Sequence, residues 1–138
     1  MDKLDKYVLD AQIGYRLRLA NQRHLEVFQR LMPDVTPTQF AVLARLNDVG
    51  AMSQNQLGRS VAMDAATTKG VVDRLIRRGL VRTMPSETDL RRLIVSLTGE
   101  GQVLVARLLL IAADISRETT ARLTPREEAR LLALLDKL

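Results

Sequence analysis

The chain has no cysteine and one histidine, His24. Without thiols it forms neither a disulfide framework nor a thiolate metal site. A single imidazole argues against a catalytic metal. No glycine loop of the kind that cradles phosphate is present, and no serine has an evident base beside it. No catalytic residue and no metal ligand is therefore assigned, no cofactor is expected, and an enzyme is not the expectation. A long apolar run is missing as well. The richest stretch, Val103–Ala113, is interrupted by Arg107 and falls short of the ~20 residues needed to span a bilayer. The amino terminus, MDKLDKYVLD, lacks the basic-then-apolar order of a signal peptide. A cytoplasmic protein without a membrane partner is the expectation.

What is present is enough for one folded subunit. The 138 residues are 46% hydrophobic, which supports a core and excludes wholesale disorder. The net charge of +5 is unevenly spread. Residues 1–52 hold seven cationic and six acidic side chains, and residues 98–138 hold six of each. Residues 53–97 hold eight cationic and four acidic ones. A basic excess confined to the middle third suits a polyanion partner. A solvated charged face is the alternative that charge by itself leaves open.

Punctuation along the chain divides it into helices and a small ribbon. Residues 3–31 read as one long helix, closed by Met32-Pro33-Asp34 because proline removes a donor and clashes with the preceding turn. Thr36-Pro37-Thr38-Gln39 is a capping box with proline in the first turn. It opens a helix that ends at Gly50. Ala51-Met52 allows a very short strand. Ser53 and Gln56 make a second capping box for a helix to about Val61. Asp64 caps a further helix running to Arg78, with Gly79 as its left-handed stop. Val81–Met84 and Leu93–Leu97 read as strands joined by a polar loop. A long helix from Thr98 to about Thr120 and a last one opened by Thr124-Pro125-Arg126-Glu127 complete the chain. The fold class is mainly α with a small β-ribbon: a winged helix-turn-helix with long N- and C-terminal dimerisation helices. The DNA-binding lobe is expected over residues 36–97, and the dimerisation helices over 1–33 and 98–138.

On the helix from Asp64 to Arg78, Thr68, Val71, Val72, Leu75 and Ile76 share one side and are expected in the core. Ala66, Thr67, Gly70, Arg74 and Arg77 lie opposite, with Lys69 on the flank. Glycine inside a helix costs about 1 kcal/mol relative to alanine, so Gly70 suggests close approach to another surface. Small residues there leave room for a thymine methyl or a phosphate, while Lys69 and the arginines reach outward. Ser53, Gln54 and Asn55 on the preceding helix are further candidates for DNA contact. Arg91 and Arg92 at the tip of the ribbon suit a minor groove, and Asp89 is expected to be structural, fixing the direction of Arg91. An ordinary amphipathic helix beside a solvent-exposed hairpin is the plainer alternative. The segments 103–115 and 131–138 are apolar nearly all round, and a second copy of the chain is the expected cover. A two-fold dimer presents its recognition helices about 34 Å apart, to successive major grooves of a palindromic operator in double-stranded DNA.

The ordered set of motifs resembles the MarR family, the multiple-antibiotic-resistance type of bacterial transcription regulator, over nearly the whole chain. It comprises Thr36-Pro37-Thr38-Gln39-Phe40-Ala41-Val42-Leu43, Gly70-Val71-Val72-Asp73-Arg74-Leu75, Gly79-Leu80-Val81, Asp89-Leu90-Arg91-Arg92 and Leu97-Thr98-Gly99-Glu100-Gly101. The resemblance implies a homodimeric winged-helix repressor released from DNA by a small aromatic acid or by oxidation. The family's paired wing residues fall on Asp89 and Arg91, and Leu90 departs from the usual arginine or glycine. The segments Ser53–Arg59, Ala62–Thr67 and Asn21–His24 resemble the branch that senses aromatic acids or their coenzyme A thioesters. Absence of cysteine excludes thiol-based sensing here and leaves a small-molecule effector. Arg16, Arg23 and Arg30 recur every seven residues on the first helix. Arg16 and Arg23 are candidates for an acidic ligand, with His24, Phe28 and Arg59 beside them, at a site where the helical arms meet the lobe. A solvated stripe of arginines is the alternative. A constitutive or architectural DNA-binding protein without an effector is the alternative function.

Overall fold

A computed structural model describes residues 6–138. A 3-10 turn, Leu9–Ala11, precedes α1 (Ile13–Leu31). Then follow α2 (Pro37–Val49), β1 (Met52–Ser53), α3 (Gln54–Ser60), α4 (Ala65–Arg77), β2 (Val81–Pro85), β3 (Leu93–Leu97), α5 (Gly99–Thr119) and α6 (Pro125–Leu135). The mainly helical winged helix-turn-helix expected from the sequence is the observed fold. Among the described residues no helix is long and apolar enough to cross a membrane.

The chain divides into two compact units. One holds the described residues up to Leu31 together with residues 114–138, the other residues 32–113. The larger unit thus takes in the first two-thirds of α5, where the sequence suggests a helix wholly within a dimerisation arm. The first helix is also shorter than expected. Residues 3–5 of the expected helix lie outside the described region, and regular helix starts only at Ile13. The side chain of Gln12 donates to the Val8 carbonyl (3.0 Å) and Arg16 Nε donates to the Asp10 carbonyl (2.6 Å). These bonds favour a turn in place of a continuous helix.

The larger unit is organised by its caps. Thr36 accepts from the Gln39 amide at 3.2 Å, and the Gln39 side chain accepts from the Thr36 amide at 3.2 Å. Gly50 stops α2 at φ 93° and Gly79 follows α4 at φ 73°, the left-handed region that suits glycine. Asp64 Oδ1 accepts from the Thr67 amide at 2.7 Å and caps α4. The three strands pair antiparallel in the order β1-β3-β2, with Met52 opposite Val95 and Val81 opposite Leu97. Behind them Val42, Leu43, Leu57, Val72, Leu75 and Val95 are fully excluded from water. That apolar burial is the main stabilising term of the lobe.

The base of the ribbon is pinned where α5 begins. The Thr98 amide donates to the Leu80 carbonyl at 3.0 Å, and its hydroxyl donates to the Gly79 carbonyl at 2.6 Å. Gly101 passes so close that a Cβ there would stand 2.0 Å from the Leu80 oxygen. Alanine normally favours a helix over glycine by about 1 kcal/mol, but here the neighbour is backbone and cannot step aside. Gly101→Ala is expected to destabilise by roughly 2 kcal/mol net, in the range of overpacked sites. A urea midpoint equal to that of the native chain would refute the close approach.

The Asp64 carboxyl is held below its ordinary pKa, first by the Thr67 backbone bond and next by the Thr67 side chain. A lowered folded-state value means its stabilisation is present above the unfolded value near 3.8 and is lost as pH falls through the folded one. Asp64→Ala should therefore lower Tm at neutral pH, with the gap to the native chain closing on acidification below about pH 4. Thermal melts at both pH values check this.

Candidate nucleic-acid interface

α3 and α4 meet at close quarters because Gly58 has no side chain. A Cβ there would lie 2.6 Å from Thr68 Oγ1, which itself donates to the Asp64 carbonyl at 2.7 Å. The turn between them passes through Ala62 at φ 57°, a conformation that costs a non-glycine residue about 1 kcal/mol or more. α4 is thereby placed with Thr68, Val71, Val72 and Leu75 buried. Ile76, expected in the core, is 39% exposed, because it sits at the edge of the buried arc.

At 100° per residue the stripe farthest from the core is Ala66, Gly70, Asp73 and Arg77. Lys69 and Arg74 flank it. Lys69 Nζ lies 2.9 Å from Asp73 Oδ2. A Cβ added at Gly70 would lie 3.7 Å from the Arg74 guanidinium, an ordinary van der Waals contact, so packing among the described residues does not require glycine there. Arg74 and Arg77 are exposed and, among the described residues, belong to no ion pair. Ala66 and Thr67 are open to solvent one turn earlier.

The helix before it contributes unevenly. Ser53 is 7% exposed, and its hydroxyl accepts from the Gln56 amide at 3.2 Å. Its role here is capping. Asn55 is exposed and Gln54 half-buried. Both border a small recess of about 260 Å³ with Gly58, Arg59 and Met63. Arg78, one of the eight basic residues of the middle third, points away from this surface. Its guanidinium donates to the Asp34 carbonyl at 2.8 Å and to Gln39 Oε1 at 3.3 Å. It ties the end of α4 to the start of α2.

The wing holds its arginines by main-chain geometry. Asp89 Oδ1 accepts from the Arg91 amide at 3.1 Å and from Arg91 Nε at 3.3 Å. The Arg92 amide donates to the Asp89 carbonyl at 2.9 Å. Asp89 thus shapes the loop, while the Arg91 side chain remains 92% exposed. An ion pair so open contributes little to stability, so orientation is its main effect. Arg92 and Leu90 are exposed beside it.

The residues expected around a small ligand divide between the two compact units, with His24 and Phe28 side by side on α1. Arg16 is engaged by the Asp10 carbonyl and Arg30 by Glu118. Arg23 borders a recess of about 600 Å³ with Ala20, Thr119, Arg122 and Leu131. His24 Nδ1 lies 3.1 Å from Thr119 Oγ1, and its ring packs at 6.2 Å from that of Phe28. Phe28 itself is 5% exposed. Arg59 lies in the other compact unit. A second recess, of about 680 Å³, lies wholly within the larger unit. Ala41 and Ala44 line it beside Arg45, Ala62 and Leu109, and Arg45 reaches across to the Ser60 carbonyl at 3.1 Å. No motif signals this recess, since its walls come from three separate helices and a turn. Among the described residues no cluster of side chains could hold a metal.

Known proteins share this arrangement. The MarR family model matches residues 35–93. The HTH-type transcriptional repressor NicR of Pseudomonas putida is 38% identical over 134 residues, 96% of this chain and 85% of that protein. The structure of Bordetella bronchiseptica BpsR, solved to explain regulation of its DNA binding by 6-hydroxynicotinic acid, superposes with a TM-score of 0.92 at 37% identity. It spans 95% of both chains. A cysteine-to-serine mutant of Escherichia coli MarR bound to operator DNA gives 0.84 at 29% identity, over 91% of both chains. With such likeness along nearly its full length, and with the family's model laid over its helix-turn-helix and wing, the chain belongs to the MarR family.

Proposed function

We propose that the protein is a homodimeric, sequence-specific DNA-binding repressor that releases its operator when a small aromatic acid binds. The observation that carries the DNA reading is the set of exposed arginines on α4 and the wing. Arg74, Arg77 and Arg92 have no ion-pair partner among the described residues, and Arg91 is steered outward by Asp89. Such cations cost nothing to expose and gain most from displacing counterions on a duplex. Gln54, Asn55, Ala66, Thr67, Lys69 and Gly70 complete the proposed contact surface in the major groove. MarR bound to operator DNA supports the same use of this fold.

The dimer reading rests on leucines with nowhere to go. α6 buries no residue, and Leu131, Leu132, Leu134 and Leu135 are all at least 40% exposed. Ile13 and Leu17 on α1 are likewise open. Apolar faces of this extent suit a second copy, and two copies suit a palindromic operator. A cytoplasmic setting and the absence of an enzymatic role follow from this reading.

The effector reading draws on BpsR and its 6-hydroxynicotinic acid and on the two recesses, whose volumes fall in the ~300–1,000 Å³ range of small-molecule sites. Arg23 offers a carboxylate partner in one, and Arg45 beside two alanines offers one in the other. An acid favouring the form with weaker DNA affinity would shift the population towards release.

Arg91→Ala is expected to weaken operator binding at least tenfold while the dimer mass stays unchanged, read by fluorescence anisotropy and light scattering. Undiminished affinity would remove the wing from the interface. Titrating 6-hydroxynicotinate, simple benzoic acids and their coenzyme A thioesters into the protein–DNA complex should release DNA with one of them. Arg23→Ala and Arg45→Ala then identify the recess by which variant loses the response. Failure of every compound to release DNA would leave a constitutive binder.

A further inference from the structure

We infer that Asp73 is a specificity-determining residue of the DNA interface, turning away phosphate and admitting only a base edge that offers an amino hydrogen. The inference rests on the reading that α4 docks in the major groove, and it concerns what α4 does there. Asp73 lies on the outermost stripe of the helix, between Gly70 and Arg77. One carboxylate oxygen is held by Lys69 at 2.9 Å. The other has no partner among the described residues, and the side chain is 49% exposed.

Helix stability does not explain the pair. Lys69 stands towards the N-terminus and Asp73 towards the C-terminus, the orientation that opposes the helix dipole. Aspartate is also a weak helix former near the end of a helix. The pair makes better sense towards DNA. A carboxylate on the outer stripe repels every phosphate it faces and occupies the Lys69 ammonium, which would otherwise pair with one. Both effects lower affinity for all sequences alike. They are offset only where the free oxygen accepts from cytosine N4 or adenine N6 in the major groove. Discrimination by a built-in repulsive group is a general route to specificity. Aspartate is short, and reaching a base edge requires the helix to sit deep. Ala66 and Gly70, preceding it on the same stripe, allow that approach.

The test is selection from a random duplex pool by the native chain and by Asp73→Ala and Asp73→Asn, followed by affinities for the selected and an unrelated duplex across salt. With Asp73→Ala the unrelated duplex should bind several-fold more tightly, and the consensus should lose one position. The slope of log K against log salt should steepen by about 0.9, as Lys69 gains a phosphate. Adding Lys69→Ala should return the slope to its native value. Asp73→Asn keeps the shape and should redefine that position instead of erasing it. Equal loss of affinity for both duplexes at unchanged slope would mark Asp73 as a folding residue and overturn the inference. So would unchanged affinity, slope and consensus. A native chain that selects no duplex brings down the DNA reading itself, and the inference with it.

Discussion

Everything the lobe presents to its surroundings depends on how two main-chain carbonyls, those of Gly79 and Leu80, are held. Thr98 occupies both with its hydroxyl and amide, and Gly101 packs its bare Cα against the second. Those contacts join the end of α4, the start of β2 and the first turn of α5 in one place. The ribbon springs from that point, so the wing inherits its direction from it. The Thr98 amide bond and the Gly101 contact involve only main chain and have no rotamer to change, and the hydroxyl bond holds a β-branched side chain that is itself stiff. A lobe pinned there holds α4 and the wing in fixed relation, the condition for reading two features of a duplex at once.

On that frame the chain uses small residues where elements approach and charged ones where they end. Gly58 lets α3 cross α4, and Gly101 lets α5 start against the Leu80 carbonyl. Acidic groups are few in the lobe, and the structure gives three of them definite work. Asp64 caps α4, Asp89 shapes the wing, and Asp34 takes Arg78 through its carbonyl and Arg107 through its carboxylate at 3.2 Å. The basic excess of the middle third is therefore not all surface charge for a partner. Arg78 is a structural tie, whereas Arg74, Arg77 and Arg92 belong to no ion pair among the described residues.

The fold is legible where local chemistry decides it. The Thr36, Ser53, Asp64 and Thr124 caps, each with its bond to the amide three residues on, are written in adjacent residues. The two strands and the glycine stops are equally local. The start of α1 is not legible, because the side-chain bonds of Gln12 and Arg16 compete with the helix without disturbing its apolar period. The boundary between compact units within α5 leaves no mark in composition. In the site, the wing's Asp89–Arg91 bond is foreseeable over two residues. Ser53 counts as a DNA contact by its position in the chain, although its hydroxyl is already engaged as a cap by the Gln56 amide; the full capping box expected there does not form, because Gln56 Oε1 accepts from the Ser53 hydroxyl. Asp73 escapes a search for cations, yet helical period alone places it on the outer stripe. The Arg45 recess and the Arg78–Asp34 tie depend on residues 15 and 44 positions apart, a distance at which pattern carries no information.

The last helix has a consequence of its own. Its leucines are open to water in the single chain, so where the proposed dimer covers them the cellular abundance of the chain becomes a control variable. If pairing precedes operator occupancy, promoter coverage at low copy number scales with the square of the amount of protein made. Slowed synthesis and dilution by growth would then empty the promoter faster than in proportion, a second route to expression that needs no inducer.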